Sequence, residues 1–251
     1  MPDAEATPPG EGHDLSEAWE RAAAGFTAWA RAPMHDSYWR FHRDQFLEIV
    51  PGPGRLTLDI GCGEGRLSRD LKALGHTIVA VDSSATMVEN ARQADPSIEV
   101  HVADAAKLPL PDAAADLAIA FMSLQDMDDM PAAIGEAARV LEPGGRFCLA
   151  VVHPINSAGA FAGEDADSAF VISGSYLAAF RYTDELERDG LAVTFASEHH
   201  PLEAYFDALA AAGLLVERLR EHAVPDAAIG RRRQRRWQRL PLFLHIQALR
   251  S

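Results

Sequence analysis

Apolar positions along the chain follow two rhythms. Short, nearly continuous apolar runs occupy Leu56–Ile60, His76–Asp82, Ser97–Ala103, Asp116–Met122 and Arg146–Val152. Each reads as a buried strand, and in Ser97–Ala103 Ile98, Val100 and Val102 alternate as strand residues do. Between the runs the period changes to the helical one: Leu67, Leu71 and Leu74 follow the first strand, a helix begins near Ser84, and another covers Pro131–Val140. Strands alternating with helices predict an α/β fold with a parallel sheet. Two amphipathic helices precede this pattern, over 14–31 and about Ser37–Val50, and the turn Pro51-Gly52-Pro53-Gly54 ends the second. After Val152 the pattern loosens. Gly174–Phe180 and Gly190–Ser197 read as two strands of an antiparallel flap, Leu202–Ala212 as a helix capped by Gly213, and Leu214–His222 and Leu242–Leu249 as the last strands.

Chemistry enters at the end of the first strand. LTLDIGCGEG, residues 56–65, places Gly61, Gly63 and Gly65 at alternate positions directly before a helix. Glycines there allow backbone angles closed to other residues and let a ligand lie against bare main chain. The helix adds unpaired N–H groups and the positive end of its dipole. Such a junction suits any nucleotide-type ligand, and the spacing G-x-G-x-G, preceded by Asp59, differs from the dinucleotide G-x-G-x-x-G. Asp82 ends the second strand 17 residues after Gly65. A βαβ nucleotide site needs a carboxylate there to accept the ribose hydroxyls, although an Asp or Ser at that point also caps a helix.

Asp59-Ile60-Gly61-Cys62-Gly63-Glu64-Gly65 resembles motif I of the class I S-adenosylmethionine-dependent methyltransferases, E/D-x-G-x-G-x-G, in every fixed position. LPLPD (108–112) and RVLEPGGRF (139–147) are similar to landmarks of the large type 11 subgroup, which acts mainly on small molecules. The ordered matches span about Leu56–Val152. The resemblance implies a Rossmann-like doubly wound, seven-stranded, mostly parallel sheet with an antiparallel last strand, plus N-terminal helices and a lid insertion. It also implies S-adenosylmethionine as cofactor and S-adenosylhomocysteine as product. It assigns the cofactor to Asp59, Gly61, Cys62, Gly63, Gly65, Asp82, Ser83, Met87, Asp104, Ala105 and Phe121, with Asp104 taking the adenine amino group. On this reading 1–251 is one methyltransferase domain: 1–13 a disordered tail, 14–50 N-terminal helices, 56–152 the cofactor-binding core, 153–200 a substrate lid and 201–251 a C-terminal helix and strands. A leading helical segment commonly covers the cofactor in this class, so Tyr38, Trp39 and Phe41 are candidates for an aromatic wall near the sulfonium.

The acceptor side departs from the subgroup. Gln125 and Asp126 stand where it commonly has a histidine pair. His153, at the end of the fifth strand, and His199, before the last helix, join Asp126 as candidate catalytic groups, on the ground that a hydroxyl acceptor needs a base within reach. An amine or thiolate acceptor needs positioning above all. No metal is expected.

Composition narrows the alternatives. The net charge of −14 argues against general affinity for nucleic acid or anionic membranes. Residues 218–251 nonetheless hold nine arginines against Glu221 and Asp226, concentrated in GRRRQRRWQR, 230–239. A solvated face is the ordinary reading of such a run. The 231–239 arginines would otherwise serve an RNA methyltransferase. Cys62 and Cys148 fall in predicted core segments and read as reduced thiols. No apolar stretch approaches the ~20 residues that span a bilayer, and the acidic, proline-rich start is unlike a signal peptide; both point to the cytoplasm. The expectation is methyl transfer to an O or N nucleophile of a small molecule. The rivals are an RNA methyltransferase, a nicotinamide oxidoreductase and a protein that binds the cofactor without turnover.

Overall fold

The first apolar run is the centre of the sheet. Strand β1 (Thr57–Ile60) has all four residues buried, with β2 (Ile78–Asp82) and β4 (Ala115–Phe121) paired parallel on either side. Burial on both faces explains why these strands read as continuous apolar runs. The structure is a computed structural model and describes residues 14–230 and 232–251. The expected tail over 1–13 and Arg231 of the arginine run lie outside the described residues.

Strands β3 (Glu99–Val102), β5 (Leu141–Val152), β10 (Leu214–His222) and β11 (Phe243–Arg250) complete a seven-stranded sheet in the order β10-β11-β5-β4-β1-β2-β3. Only β11 runs against its neighbours, inserted between β5 and β10. This is the doubly wound, mostly parallel sheet expected from the resemblance. Helices α3 (Arg66–Ala73), α4 (Ala85–Ala94) and α5 (Met130–Val140) provide the crossovers. One core lies between the sheet and the face built by α5 and the later α7 (Leu202–Ala211), with Leu58, Ile60, Phe147 and Ile134 fully buried. The other gathers Phe46, Leu71, Ile119 and Ala150 on the opposite face.

Helix α1 (Leu15–Arg31) is capped by Asp14, which accepts from Ser16 N at 2.8 Å. The second predicted helix is shorter: a π-helical turn, Tyr38–His42, runs into α2 (Arg43–Leu47). Beyond a single-turn α6 (Pro154–Ser157) the chain leaves the sheet in two hairpins, β6 (Gly159–Phe161) with β7 (Phe170–Ile172), and β8 (Phe180–Arg188) with β9 (Leu191–His199). The first expected flap strand is therefore displaced: Gly174–Phe180 is mostly loop, and the polar stretch after it is strand. Its alternation of Tyr182, Asp184 and Leu186, and the Asp189-Gly190 turn with both φ values positive (52° and 77°), carry the signal. Among the described residues, no helix is long and apolar enough to cross a membrane.

Candidate active site

Strands β1, β2, β3 and β4 end at one edge of the sheet, and the glycine loop is fastened to that edge. Gly61 and Cys62 both donate to Val81 O, at 2.8 and 3.0 Å. Gly61, Gly63 and Gly65 all have left-handed φ, at 70°, 56° and 80°. A Cβ on Gly61 would lie 2.4 Å from that of Ser123, whose hydroxyl donates to Ile60 O at 2.7 Å. Glycine is thus required both by the backbone angle and by the contact with the end of β4.

Asp82 joins the loop to the next helix. One carboxylate oxygen accepts from Gly63 N at 2.8 Å and the other from Ser84 N at 2.9 Å. Burial raises its pKa, with the nearby Glu20 charge adding to the rise and these two N–H groups opposing it. Ser84, not the exposed Ser83, caps α4 by accepting from Met87 N at 3.0 Å. Asp59 is buried on β1 and accepts from Ser68 Oγ at 2.5 Å; burial pushes its pKa to about 6. The Cys62 thiol is buried too, and burial together with Asp82 and Asp59 pushes it well up. At the end of β3, exposed Asp104 accepts from Ala106 N at 2.9 Å, with half-buried Ala105 beside it. Met87 is buried, its sulfur 3.8 Å from Thr27 Oγ1 of α1. Phe121, at the end of β4, meets Tyr38 and Phe46 edge-on.

Helix α1 covers this edge. Glu20 accepts from Ser84 Oγ and Thr86 Oγ1, both at 2.5 Å, and Arg31 pairs with buried Glu64 at 2.9 Å. The Phe26 ring faces Gly63, 3.4 Å from where a Cβ would stand. Trp19, Phe26 and Phe195 of β9 form an edge-on trio with centroids 5.4–6.2 Å apart. Of these three, Phe26 stands against the glycine loop, while the expected Tyr38, Trp39 and Phe41 each have partners of their own. Tyr38 donates to Asp70 at 2.7 Å, the Trp39 indole donates to Ala30 O at 2.8 Å, and Phe41 packs on Phe243. Trp19 and Phe26 lie at helical spacing on α1, and nothing local in the sequence separates them from ordinary core aromatics.

The acceptor side lies between the β4 end and the β8–β9 hairpin. Asp126 accepts from Ser197 Oγ at 2.6 Å and from the Gln125 amide at 3.2 Å, and burial raises its pKa well above the ordinary carboxyl value. His153 and His199 also flank this region, but both are fully engaged. His153 Nδ1 accepts from Ile155 N at 3.1 Å and Nε2 lies 2.9 Å from Glu221. His199 Nδ1 lies 2.7 Å from Ser157 Oγ and Nε2 is 2.8 Å from Tyr176 O. Met127, the next residue, reaches Gly61 of the glycine loop, 3.3 Å from where a Cβ would stand. The structure places the two histidines in the supports of the hairpin and β5.

The arginine run is not a solvated face throughout. Arg236 is buried, donates to Gly163 O and stacks 5.2 Å from the Phe161 ring centroid. Arg239 donates to Ser168 O at 2.7 Å. Both tie down the loop between β6 and β7.

A glycine loop fastened to the sheet edge, a strand-end carboxylate joined to it and an aromatic ring over it fit the ribose and sulfonium of S-adenosylmethionine. Comparison with known proteins agrees. Residues 58–149 match the methyltransferase domain family of type 11. A malonyl-[acyl-carrier protein] O-methyltransferase from Pectobacterium atrosepticum is 30% identical over 139 residues, 55% of this chain and 53% of the relative. A ubiquinone/menaquinone biosynthesis C-methyltransferase from Caulobacter vibrioides is 36% identical over 121 residues, 43% of this chain and 48% of the relative. The chain spans about half the length, or less, of these curated relatives. The crystal structure of an S-adenosylmethionine-dependent methyltransferase from Mesorhizobium loti superposes with a TM-score of 0.69 at 26% identity, covering 86% of this chain and 98% of that one.

Proposed function

Residues 58–149 being a methyltransferase domain of the S-adenosylmethionine-dependent class I, type 11 kind, we propose that the chain transfers the methyl group of S-adenosylmethionine to an oxygen or nitrogen nucleophile of a small molecule. S-adenosylhomocysteine is the other product. The cofactor supplies an already activated methyl carbon on its sulfonium. The protein's task is to hold the acceptor in line with that carbon and to keep water out. Asp82 takes the ribose hydroxyls, Asp104 and the Ala105 N–H the adenine edge, and the main chain of Gly61–Gly65 the methionine end. Asp59, Cys62, Ser83, Met87 and Phe121 line or support that cleft. Helix α1 and the β8–β9 hairpin close over it.

Asp126 is the group we assign to proton transfer, since it alone of the three candidates is next in the chain to a residue that reaches the glycine loop. His153 and His199 position the hairpin. The relatives named above differ in whether oxygen or carbon is methylated. The matched segment is the cofactor core; the hairpin that roofs the acceptor lies outside it.

The observation that carries the reading is the Asp82 carboxylate 2.8 Å from Gly63 N, which makes the strand-end acid and the glycine loop one cradle. Asp82→Ala should weaken S-adenosylhomocysteine binding by roughly 2–4 kcal/mol, from two charge-assisted bonds of ~1.5–3 kcal/mol each less what water recovers. Calorimetry on a folded variant tests this. Unchanged affinity would remove Asp82 from the site.

A further inference from the structure

Helix α1 is fastened to the sheet edge at two places, each built on a carboxylate. In its first half Glu20 accepts from Ser84 Oγ and Thr86 Oγ1 at the start of α4. At its end Arg31 donates from Nε to Glu64 at 2.9 Å and from a terminal nitrogen to Asn90 O at 2.8 Å. Glu20, Thr27 and Arg31 recur at i, i+7 and i+11 and so share one face of the helix. Thr27 Oγ1 accepts from the Asn90 amide there, at 3.0 Å. Phe26 lies between the two fastenings on the adjoining face, against Gly63.

Glu64 occupies a non-glycine position of the glycine loop, and its side chain is fully buried. A buried carboxylate is costly unless it is paired and hydrogen-bonded. Arg69 of α3 meets that need by itself. It donates to the two carboxylate oxygens at 2.8 and 2.9 Å and to Glu64 O at 2.7 Å. The second arginine, Arg31, adds nothing the loop requires; it joins the loop to α1. Its side chain is 42% exposed, so it can leave for water while Glu64 keeps Arg69. The Phe26 ring has a cation of its own nearby, the Arg66 guanidinium 5.6 Å from its centroid, which pairs with Asp36 at 2.6 Å. The β8–β9 hairpin is carried by the same helix: Trp19 Nε1 donates to Ala196 O at 2.9 Å, and Arg188 donates to His35 O just beyond the end of α1.

Resting on the reading of the glycine loop as the S-adenosylmethionine cradle, we propose that Glu64 is a positioning residue for the cofactor: through Arg31 it holds α1, and with it Phe26, over the loop, and so sets how long the cofactor stays bound. Release requires α1 to lift from Gly63, as lids do when they gate product release. The Arg31–Glu64 contact must break for that to happen, and the Arg69–Glu64 contact keeps the loop in shape while it does. Entry needs the same movement, so the clasp never speeds association.

The test is the rate of S-adenosylhomocysteine dissociation from the full chain, by stopped-flow tryptophan fluorescence with Trp19, 5.4 Å from Phe26, as reporter. Arg31→Met should raise that rate at least 5-fold, with association as fast as in the parent or faster. Arg31→Lys, which keeps the charge, should recover most of the difference. Phe26→Ala should also speed dissociation, and Arg31→Met added to it should contribute less than twofold, because Arg31 acts through Phe26. Arg21→Met, on the exposed side of α1 where Arg21 pairs with Glu17 at 3.7 Å, should change neither rate. In hydrogen exchange on the free chain, the amides of α1 should exchange at least 5-fold faster in Arg31→Met, with those of β1 unchanged.

Dissociation within twofold of the parent in Arg31→Met would overturn the proposal. So would full additivity with Phe26→Ala, or slowed association, which would mean that the substitution had disturbed the cradle and not its cover. Failure of the parent chain to bind S-adenosylhomocysteine would defeat the cofactor reading and the proposal with it, and the exchange of α1 tells that outcome apart from a clasp that does not hold.

Discussion

Replacing Asp59 by asparagine should make the protein's stability less sensitive to pH, and by an amount fixed by the site. Asp59 is 1% exposed on the central strand, with Ser68 Oγ as its hydrogen-bond partner at 2.5 Å. Burial, helped by the charge of Asp82 and opposed by Ser68, lifts its carboxyl from the ordinary 3.8 to about 6. Between those two values the folded chain holds a proton that the unfolded chain has released. Stability must therefore fall as pH rises through about 4 to 6, the reverse of a salt-bridged carboxylate. A shift of about two units corresponds to roughly 3 kcal/mol, all of it present above pH 6 and nearly absent at pH 4. Asparagine carries no charge at either pH, and its amide oxygen still accepts from Ser68. Any constant penalty for its buried amide hydrogens cancels when the two pH values are compared. The unfolding free energy of Asp59→Asn relative to the parent, from urea melts, should thus shift in the variant's favour by about 3 kcal/mol between pH 4 and pH 8. A difference independent of pH would show that the Asp59 carboxyl titrates normally in the folded chain, and the argument from its burial would fail.

The remaining expectations concern packing and the histidines. Gly61→Ala forces a left-handed backbone angle on a β-carbon and drives it to 2.4 Å from Ser123 Cβ. About 1–2 kcal/mol for the angle and ~1–3 for overpacking predict a melting temperature lower by about 10 °C, of which adding Ser123→Gly should restore only the packing part. His199→Ala removes the bonds to Ser157 and Tyr176 O that anchor the end of β9. It should lower the melting temperature while turnover per folded molecule stays within about threefold. A loss of ~100-fold in turnover at unchanged stability would restore His199 as a proton-transfer group. His153→Ala should behave in the same way, since its two nitrogens already serve Ile155 N and Glu221.

The sheet and the glycine loop were legible because their signals are local. Three glycines with left-handed angles, an acid at a strand end and apolar runs of strand length each announce themselves within a few residues. What escaped was created by long-range contact. Glu20 reaches Ser84 across 64 positions, Asp126 meets Ser197 across 71, and Phe26 comes to Gly63 only because α1 lies over the sheet edge. No spacing rule links such pairs. The partners of the histidines were hidden for a related reason: Glu221 and Ser157, which meet His153 and His199, come from distant segments. The hairpin strand β8 lies between these cases. Its Asp189-Gly190 turn is a strong local signal, but Asp184 and Glu185 make the strand look like loop until its second face is recognised as polar too. Its inner face mixes the polar Tyr182, Asp184 and Ser197 with the apolar Leu186, Val193 and Phe195 of the same register, so the continuous apolar run that marks β1 and β2 is absent and periodicity alone could not mark β8 as a strand.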